Sequence, residues 1–301
     1  MSSKGKLDKI PGSKKGYRSE LEYFNLPETD ISVTSCCHEK LLLSTNMNEQ
    51  SGCVEFNYVG NKNQYVDLKE SFLYVRGKVV KSDGGAVSSG TDLSTANLLL
   101  ASLFINAKVF FNGILVGDAL NAYGYLGYLR ALLGYSEGSK STTLSSQLFF
   151  KDSAPSQAAD TNTGYKQRKD IIAESATFEM AGGLYLDVCQ MDRYVPDGVD
   201  IRIQLMKNDP RYYIWAAADS QNYKFEFEEM YYMLKKVTVH PDILSRNEKE
   251  LKKGTTMKFP LNKTEVRVYS LPASTNHFTT EGVWGDYLPC QIVCGFVKCE
   301  I

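Results

Sequence analysis

Residues 97–152 read NLLLASLFINAKVFFNGILVGDALNAYGYLGYLRALLGYSEGSKSTTLSSQLFFKD, and the dipeptide Asn112-Gly113 within them constrains the fold more than any other feature of the chain. A two-residue hairpin turn needs positive φ at both positions, which Asn and Gly adopt at low cost, and here the pair lies between two apolar runs. An antiparallel strand pair is therefore expected. Downstream, Tyr125, Leu129, Leu132 and Leu133 fall at helical spacing with Tyr128 alongside, and Gly134 supplies a stop, so residues 119–133 read as a helix. A second apolar strand closes the stretch, which carries architecture and no catalytic grammar.

The rest of the chain keeps a strand rhythm. In CVEFNYVG, Val54, Phe56 and Tyr58 share one face and Glu55 and Asn57 the other, the period of a half-buried strand, and residues 60–63 supply the turn. Residues 65–80 continue as a longer strand or strand pair. Residues 82–91 are a loop of small and polar residues, and 153–167 read as a long surface loop. Residues 176–188, 199–206, 212–217 and 223–239 read as successive strands separated by Pro196-Asp197-Gly198 and Asn208-Asp209-Pro210 turns. A short charged helix at 242–252 ends at Gly254. Strand character resumes at 258–271 and again at 288–297. Many strands, long loops and short helices indicate a sandwich or jelly roll and exclude a βαβ fold.

Composition agrees with this reading and narrows function. With 19 Tyr, 14 Phe and three His in 301 residues, the chain favours packed strand surfaces over proton transfer. A net charge of -1 argues against coating nucleic acid wholesale. The exception is local: Lys4, Lys6, Lys9, Lys14, Lys15 and Arg18 face the single acid Asp8, in an arm expected to be disordered alone. Two roles suit it, an interior tail touching packaged DNA or an internal protein and a nuclear import signal, beside the plainer reading of a solvated terminus. No run reaches the length of a membrane span and no secretory leader is evident. Seven Cys, an odd number without a dense framework, suit a reducing compartment and free thiols.

Sharper motifs fail on spacing. GYSEGSKS at 134–141 nearly spells a phosphate loop, but Ser139 stands where the second Gly belongs and a helix precedes it in place of a strand. Cys290 and Cys294 sit on an expected strand as small apolar fillers, and with Cys299 and Cys36-Cys37-His38 they lack zinc-knuckle spacing. His38, His240 and His277, placed in loops or element ends, have no nucleophile motif beside them. Glu226, Glu228 and Glu229 alternate with Phe225 and Phe227 as the solvated face of a strand. The Asn262-Lys263-Thr264 sequon is idle outside the secretory pathway. No enzyme, metal or cofactor is expected.

Several motifs together resemble the major capsid proteins of Polinton (Maverick) elements and the related adintoviruses. They are YVDL at 65–68, LLLASLF at 98–104, FNG at 111–113, the Tyr-rich helix with LLGYSEGSKS and FFKD, NTGYKQR at 162–168, DRYVPDGVDIRIQL, LKKVTVHP at 234–241, EVRVYSLPA at 265–273 and LPCQIVCGFV at 288–297. The resemblance runs from about Val54 to Val297. It implies a double jelly roll of the viral capsid type, in which three chains form a pseudo-hexagonal capsomer of an icosahedral shell.

By that analogy residues 1–31 are the basic arm, 32–239 the first jelly roll, 240–254 a connector helix and 255–301 the start of a second. Relatives continue past the GFV motif, whereas this chain diverges at Lys298 and ends at Ile301, so an incomplete second barrel is expected. Three explanations stay open: a truncated endogenous viral element, a piece of a longer chain, or a segment that completes the first barrel or pairs with a neighbour. The implied partners are further copies in a homotrimer and its neighbouring capsomers, minor capsid or penton proteins, and double-stranded DNA through the arm. The implied location is the virion, with the host nucleus or cytoplasm during assembly. Loops 82–91, 134–146 and 153–164 are candidates for outer or inter-subunit surfaces. The alternative is a capsid-derived β-sandwich binding module without shell-forming activity.

Overall fold

The computed structural model describes residues 23, 30–44, 52–216, 222–272, 277–280, 283 and 289–296. They fall into two units, Met1–Val266 and Arg267–Ile301. The strands of the first are β1 (Val33–Leu42), β2 (Cys53–Tyr58), β3 (Gln64–Lys81), β4 (Leu93–Thr95), β5 (Phe104–Phe111), β6 (Ile114–Asp118), β7 (Phe178–Gly182), β8 (Ile201–Lys207), β9 (Ile214–Ala216) and β10 (Tyr223–Val239). Its helices are α1 (Leu99–Ser102), α2 (Tyr123–Gly134), α3 (Glu137–Ser141), α4 (Thr163–Ile172), α5 (Pro210–Tyr213) and α6 (Pro241–Lys252).

Two four-stranded antiparallel sheets, ordered β1-β10-β3-β7 and β2-β8-β5-β6, enclose one core, and β4 pairs with β9 apart from them. Leaving out β4 and β9, the first strand pairs with the last, the second with the seventh, the third with the sixth and the fourth with the fifth. A chain doubled on itself and then rolled produces that nested order, which defines a jelly roll. The fold is therefore all-β, with its helices in the connections.

Local sequence explains the sheets. In β8, Ile201, Ile203 and Leu205 point inward while Arg202 and Gln204 point out; β2 does the same with Val54, Phe56 and Tyr58. Across the core, Phe56 meets Tyr232 of the opposite sheet at 6.0 Å between ring centroids, and both residues are fully buried. The hairpin turn forms as its dipeptide demands, with φ 47° at Asn112 and 79° at Gly113. Past the turn Val116 has no partner, because Phe110 pairs with Leu115 and Val109 with Gly117, so β6 bulges. Helix α6 lays Leu244 on Tyr65, Val237 and Val239, and its Asn247 donates to the Tyr65 hydroxyl at 3.1 Å.

Several expectations change. The run 148–152 is no strand: Leu148 ends a 3-10 turn at φ 55°, in the left-handed region. The loop expected to reach 167 instead enters α4 at Thr163, where Asn162 caps the helix by accepting from the Tyr165 N–H at 3.2 Å. Only Phe178–Gly182 of the strand expected at 176–188 forms, and Pro210 starts a helical turn before β9. His38 lies in mid-strand. Residues 258–271 carry no strand, and neither do 289–296 in the second unit, where Ile292, Val293 and Phe296 are exposed. Apolar character marks a segment able to join a sheet, but a ladder also needs a partner. Cys290 and Cys294 are accordingly exposed and not packed fillers.

Thiol chemistry checks this burial pattern. Burial pushes the Cys189 thiol up to about 12. Exposed Cys36, Cys37, Cys290 and Cys294 are expected to react with a colorimetric disulfide reagent at once, and Cys189 only as the protein unfolds. Mass mapping of labelled peptides over time reads this directly, and early labelling of Cys189 would contradict it.

Candidate assembly surface

The two outward sheet faces differ in chemistry. On the β2-β8-β5-β6 face, Gln204 donates to Glu55 at 2.7 Å, Arg202 lies 4.2 Å above the Phe110 ring, and Lys108 pairs with Asp118 at 3.6 Å. These are small polar contacts that water can share. On the β1-β10-β3-β7 face, alternation along β3 sends Leu73, Val75, Gly77 and Val79 inward and Phe72, Tyr74, Arg76 and Lys78 outward. Tyr74 is in register with Tyr231 and the rings stack at 4.3 Å and 14°, with Lys40 Nζ 3.9 Å above Tyr231. His38 leans on Phe72 at 6.2 Å. The result is an aromatic belt framed by ion pairs.

Gly77 shows how tightly this sheet closes. A Cβ there would lie 2.3 Å from the Glu226 carbonyl and 2.6 Å from the Phe225 ring, so only glycine fits opposite the β10 bulge. The bulge falls between Phe227 and Glu229 and breaks the alternation expected of the Glu cluster. Glu228 is then reached by Arg76 at 3.2 Å, Lys78 at 3.5 Å and the Thr177 hydroxyl at 3.2 Å. Glu229 pairs with Lys40 at 2.8 Å.

Three groups on this face, Glu228, Glu229 and Tyr74, are shifted away from neutrality. Burial raises the Glu228 carboxyl, but the hydrogen bonds from Arg76 and Thr177 and the Lys78 charge outweigh it and leave it below its ordinary value. The hydrogen bond from Lys40 lowers Glu229 despite some desolvation. Burial, then the Glu179 carboxylate that accepts from its hydroxyl, pushes Tyr74 up to about 12. At neutral pH the two carboxylates stay charged and the Tyr74 hydroxyl stays neutral, which suits a rigid contact surface.

A pH dependence follows. Carboxylates whose folded value lies below the unfolded one stabilise the fold above the unfolded value, near ~4.3 for Glu. That contribution disappears as pH falls through the lowered folded value. Urea unfolding of Glu228→Gln is expected to show a weaker acid-side loss of stability than the parent. Identical acid slopes would refute the pairing.

The surface loops are organised. Asn162, 4% exposed, accepts from the Ser153 and Tyr165 N–H groups and donates to the Ala154 and Ser156 carbonyls, which folds 153–162 around one side chain. The near phosphate loop is a five-residue surface helix, α3, capped by Ser136, and its Glu137 pairs with Lys151. In loop 82–91, Val87 is buried and donates its N–H to the Ser175 hydroxyl. Past α6, the Thr264 N–H donates to Asp187 at 2.9 Å and Arg130 donates to the Thr264 hydroxyl at 2.8 Å.

The basic residues Lys4, Lys6, Lys9, Lys14, Lys15 and Arg18 lie outside the described residues. The Tyr74–Tyr231 stack is only half visible in the sequence. The alternation of Phe72, Tyr74, Arg76 and Lys78 signals one half of it, and only the pairing register supplies the other. Among the described residues, no helix is long and apolar enough to cross a membrane.

No protein-family model matches the chain. The uncharacterized protein F54H12.2 of Caenorhabditis elegans is 19% identical over 263 residues, covering 85% of this chain and 61% of the worm protein. Among solved structures, that of the Sputnik virophage by cryo-EM is 12% identical with a TM-score of 0.49, covering 76% of this chain and 53% of that one. The crystal structure of the mavirus major capsid protein is 12% identical with a TM-score of 0.39, covering 79% and 53% respectively. The chain thus spans about half the length of these two solved chains and less than two thirds of the worm protein.

Proposed function

We propose that this chain is a structural virion protein, a major capsid subunit of the kind found in Polinton or Maverick elements and adintoviruses. The observation that carries the reading is the nested pairing of eight strands into one roll whose outer face is an aromatic belt framed by ion pairs with fixed charge. Such a body acts through its flanks. The capsid-like motifs spread from 65 to 297 support the same assignment.

In this reading three chains form a capsomer and capsomers tile an icosahedral shell, with minor capsid or penton proteins filling other positions. Residues 32–239 are the first jelly roll, 240–254 the connector and 255–301 the opening of the second. The arm at 1–31 carries Lys4, Lys6, Lys9, Lys14, Lys15 and Arg18 toward packaged double-stranded DNA. The protein works in the virion after assembly in the host nucleus or cytoplasm, from a viral or endogenous viral gene.

Electron microscopy of the purified full chain tests this. Three-lobed particles of three times the chain mass are expected, and at high concentration larger curved assemblies. Particles of single-chain mass at every concentration would overturn the shell reading.

A further inference from the structure

Tyr232 meets Phe56, Tyr128 meets Phe149 and Tyr269 meets Phe278, so in each of these ring contacts a tyrosine faces a phenylalanine. Among the described residues, Tyr74 and Tyr231 are the two tyrosines whose rings face one another. They stand in register on β3 and β10, with ring centroids 4.3 Å apart and planes 14° from parallel. Offset aromatic pairs ordinarily sit ~4.5–7 Å apart, so this contact is at the short limit. Both rings are half-buried on an outward face, which leaves them within reach of a small molecule from solvent.

A phenol gives up an electron readily only when its proton leaves as well. The Tyr74 hydroxyl already donates to the Glu179 carboxylate on β7, the strand beside β3, so a base that can take that proton is in place. The second ring differs. Lys40 Nζ lies 3.9 Å from the Tyr231 centroid, and a cation over a ring face opposes the loss of an electron from it. Glu229, paired with the same ammonium at 2.8 Å, offsets part of that charge. Tyr74 is therefore the first of the two to oxidise.

We propose that Tyr74 and Tyr231 form an oxidative cross-linking site, where the two phenols join ring to ring and tie β3 to β10 covalently. Each phenol loses one electron and one proton. The two phenoxyl radicals couple through ring carbons ortho to oxygen, and the hydrogens on those carbons move to the oxygens, which restores both phenols. The oxidant is hydrogen peroxide acting through a haem peroxidase: the O–O bond breaks, and the two electrons and two protons convert the peroxide into two waters. The new bond closes a long loop from Tyr74 to Tyr231, which restricts the unfolded chain more than the folded one.

Peroxidase treatment of the full chain tests this. The chain, at low concentration and with its exposed thiols alkylated, is exposed to a haem peroxidase and hydrogen peroxide and then digested. Mass spectrometry is expected to find the peptides holding Tyr74 and Tyr231 joined with the loss of two hydrogen atoms, and the product should show biphenol fluorescence. Because the rings are already held together, this link should be at least about 10-fold more abundant than any joining the exposed Tyr135, Tyr194 or Tyr212. Tyr74→Phe and Tyr231→Phe, which keep a ring in the stack, should each remove it while the circular dichroism stays that of the parent. Glu179→Gln should slow coupling several-fold, and Glu179→Asp should restore the rate. The coupled protein should unfold at a higher urea concentration than the parent.

A link that survives Tyr231→Phe would overturn the site, because the neighbouring Tyr232 would then be the partner. Oxidation of Tyr135, Tyr194 and Tyr212 with no link at Tyr74 would overturn it as well. A Glu179→Gln rate equal to that of the parent would overturn the transfer of the Tyr74 proton to this carboxylate. These outcomes are separate from the capsomer reading, which the particle mass decides.

Discussion

Arg168→Ala is expected to lower the unfolding free energy by about 3–5 kcal/mol, measured by urea denaturation. The Arg168 side chain is 0% exposed and ties three segments together. Its Nε donates to the Thr95 carbonyl at 2.9 Å, one Nη to the Phe150 carbonyl at 3.0 Å and the other to Asp152 at 2.9 Å. The Trp215 ring lies 5.9 Å from the guanidinium. Truncation leaves a carboxylate without its counter-charge and two carbonyls short of a donor. Arg168→Lys should recover little, since a single ammonium cannot span the three acceptors that a planar fork reaches. A loss below about 1 kcal/mol would show that α4 is held by something else.

Phe56→Ala is expected to cost a similar amount, about 3–5 kcal/mol, through the cavity it opens between the sheets. Phe56 and Tyr232 are both 0% exposed and belong to strands from opposite layers, so no neighbouring loop can relax into the space. The control is Leu42→Ala on β1, 68% exposed, expected to change stability by less than about 0.5 kcal/mol. Equal effects at both positions would mean that the two sheets do not share a core.

Legibility in the sequence followed how local the cause was. The Asn112-Gly113 turn, the alternation in β2 and β8 and the charged helix α6 depend on a few adjacent residues, and each was readable. Helix α4 was not. Its segment TGYKQRKDII is polar, and beside buried Tyr165 and Ile172 it is anchored by one arginine bonded to carbonyls and a carboxylate from residues 95, 150 and 152.

Helix α2 was readable as a helix but not by its buried face, because Gly127 and Ala131 win the inward side by smallness, a quality that apolar spacing does not register. The segments at 258–271 and 289–296 mark the opposite limit. Their apolar residues suit a strand, yet pairing is a property of two segments, and one cannot announce it alone. On the candidate surface the same rule applies: Tyr74 was visible as an outward residue, while Tyr231 as its stacking partner required the register between strands 157 residues apart in number, from 74 to 231.

The shell subunit proposed for this chain depends most on its rolling, which sets the first strand against the last. In the β1–β10 pair Cys37 stands opposite Lys236. Lys236→Cys, oxidised at low protein concentration, is predicted to form an intramolecular disulfide with the native Cys37, giving a faster band on a non-reducing gel and one linked peptide pair by mass spectrometry. A linkage of the introduced thiol to any other cysteine in preference to Cys37, or no linkage at all in the folded protein, would contradict the roll and the shell subunit built on it.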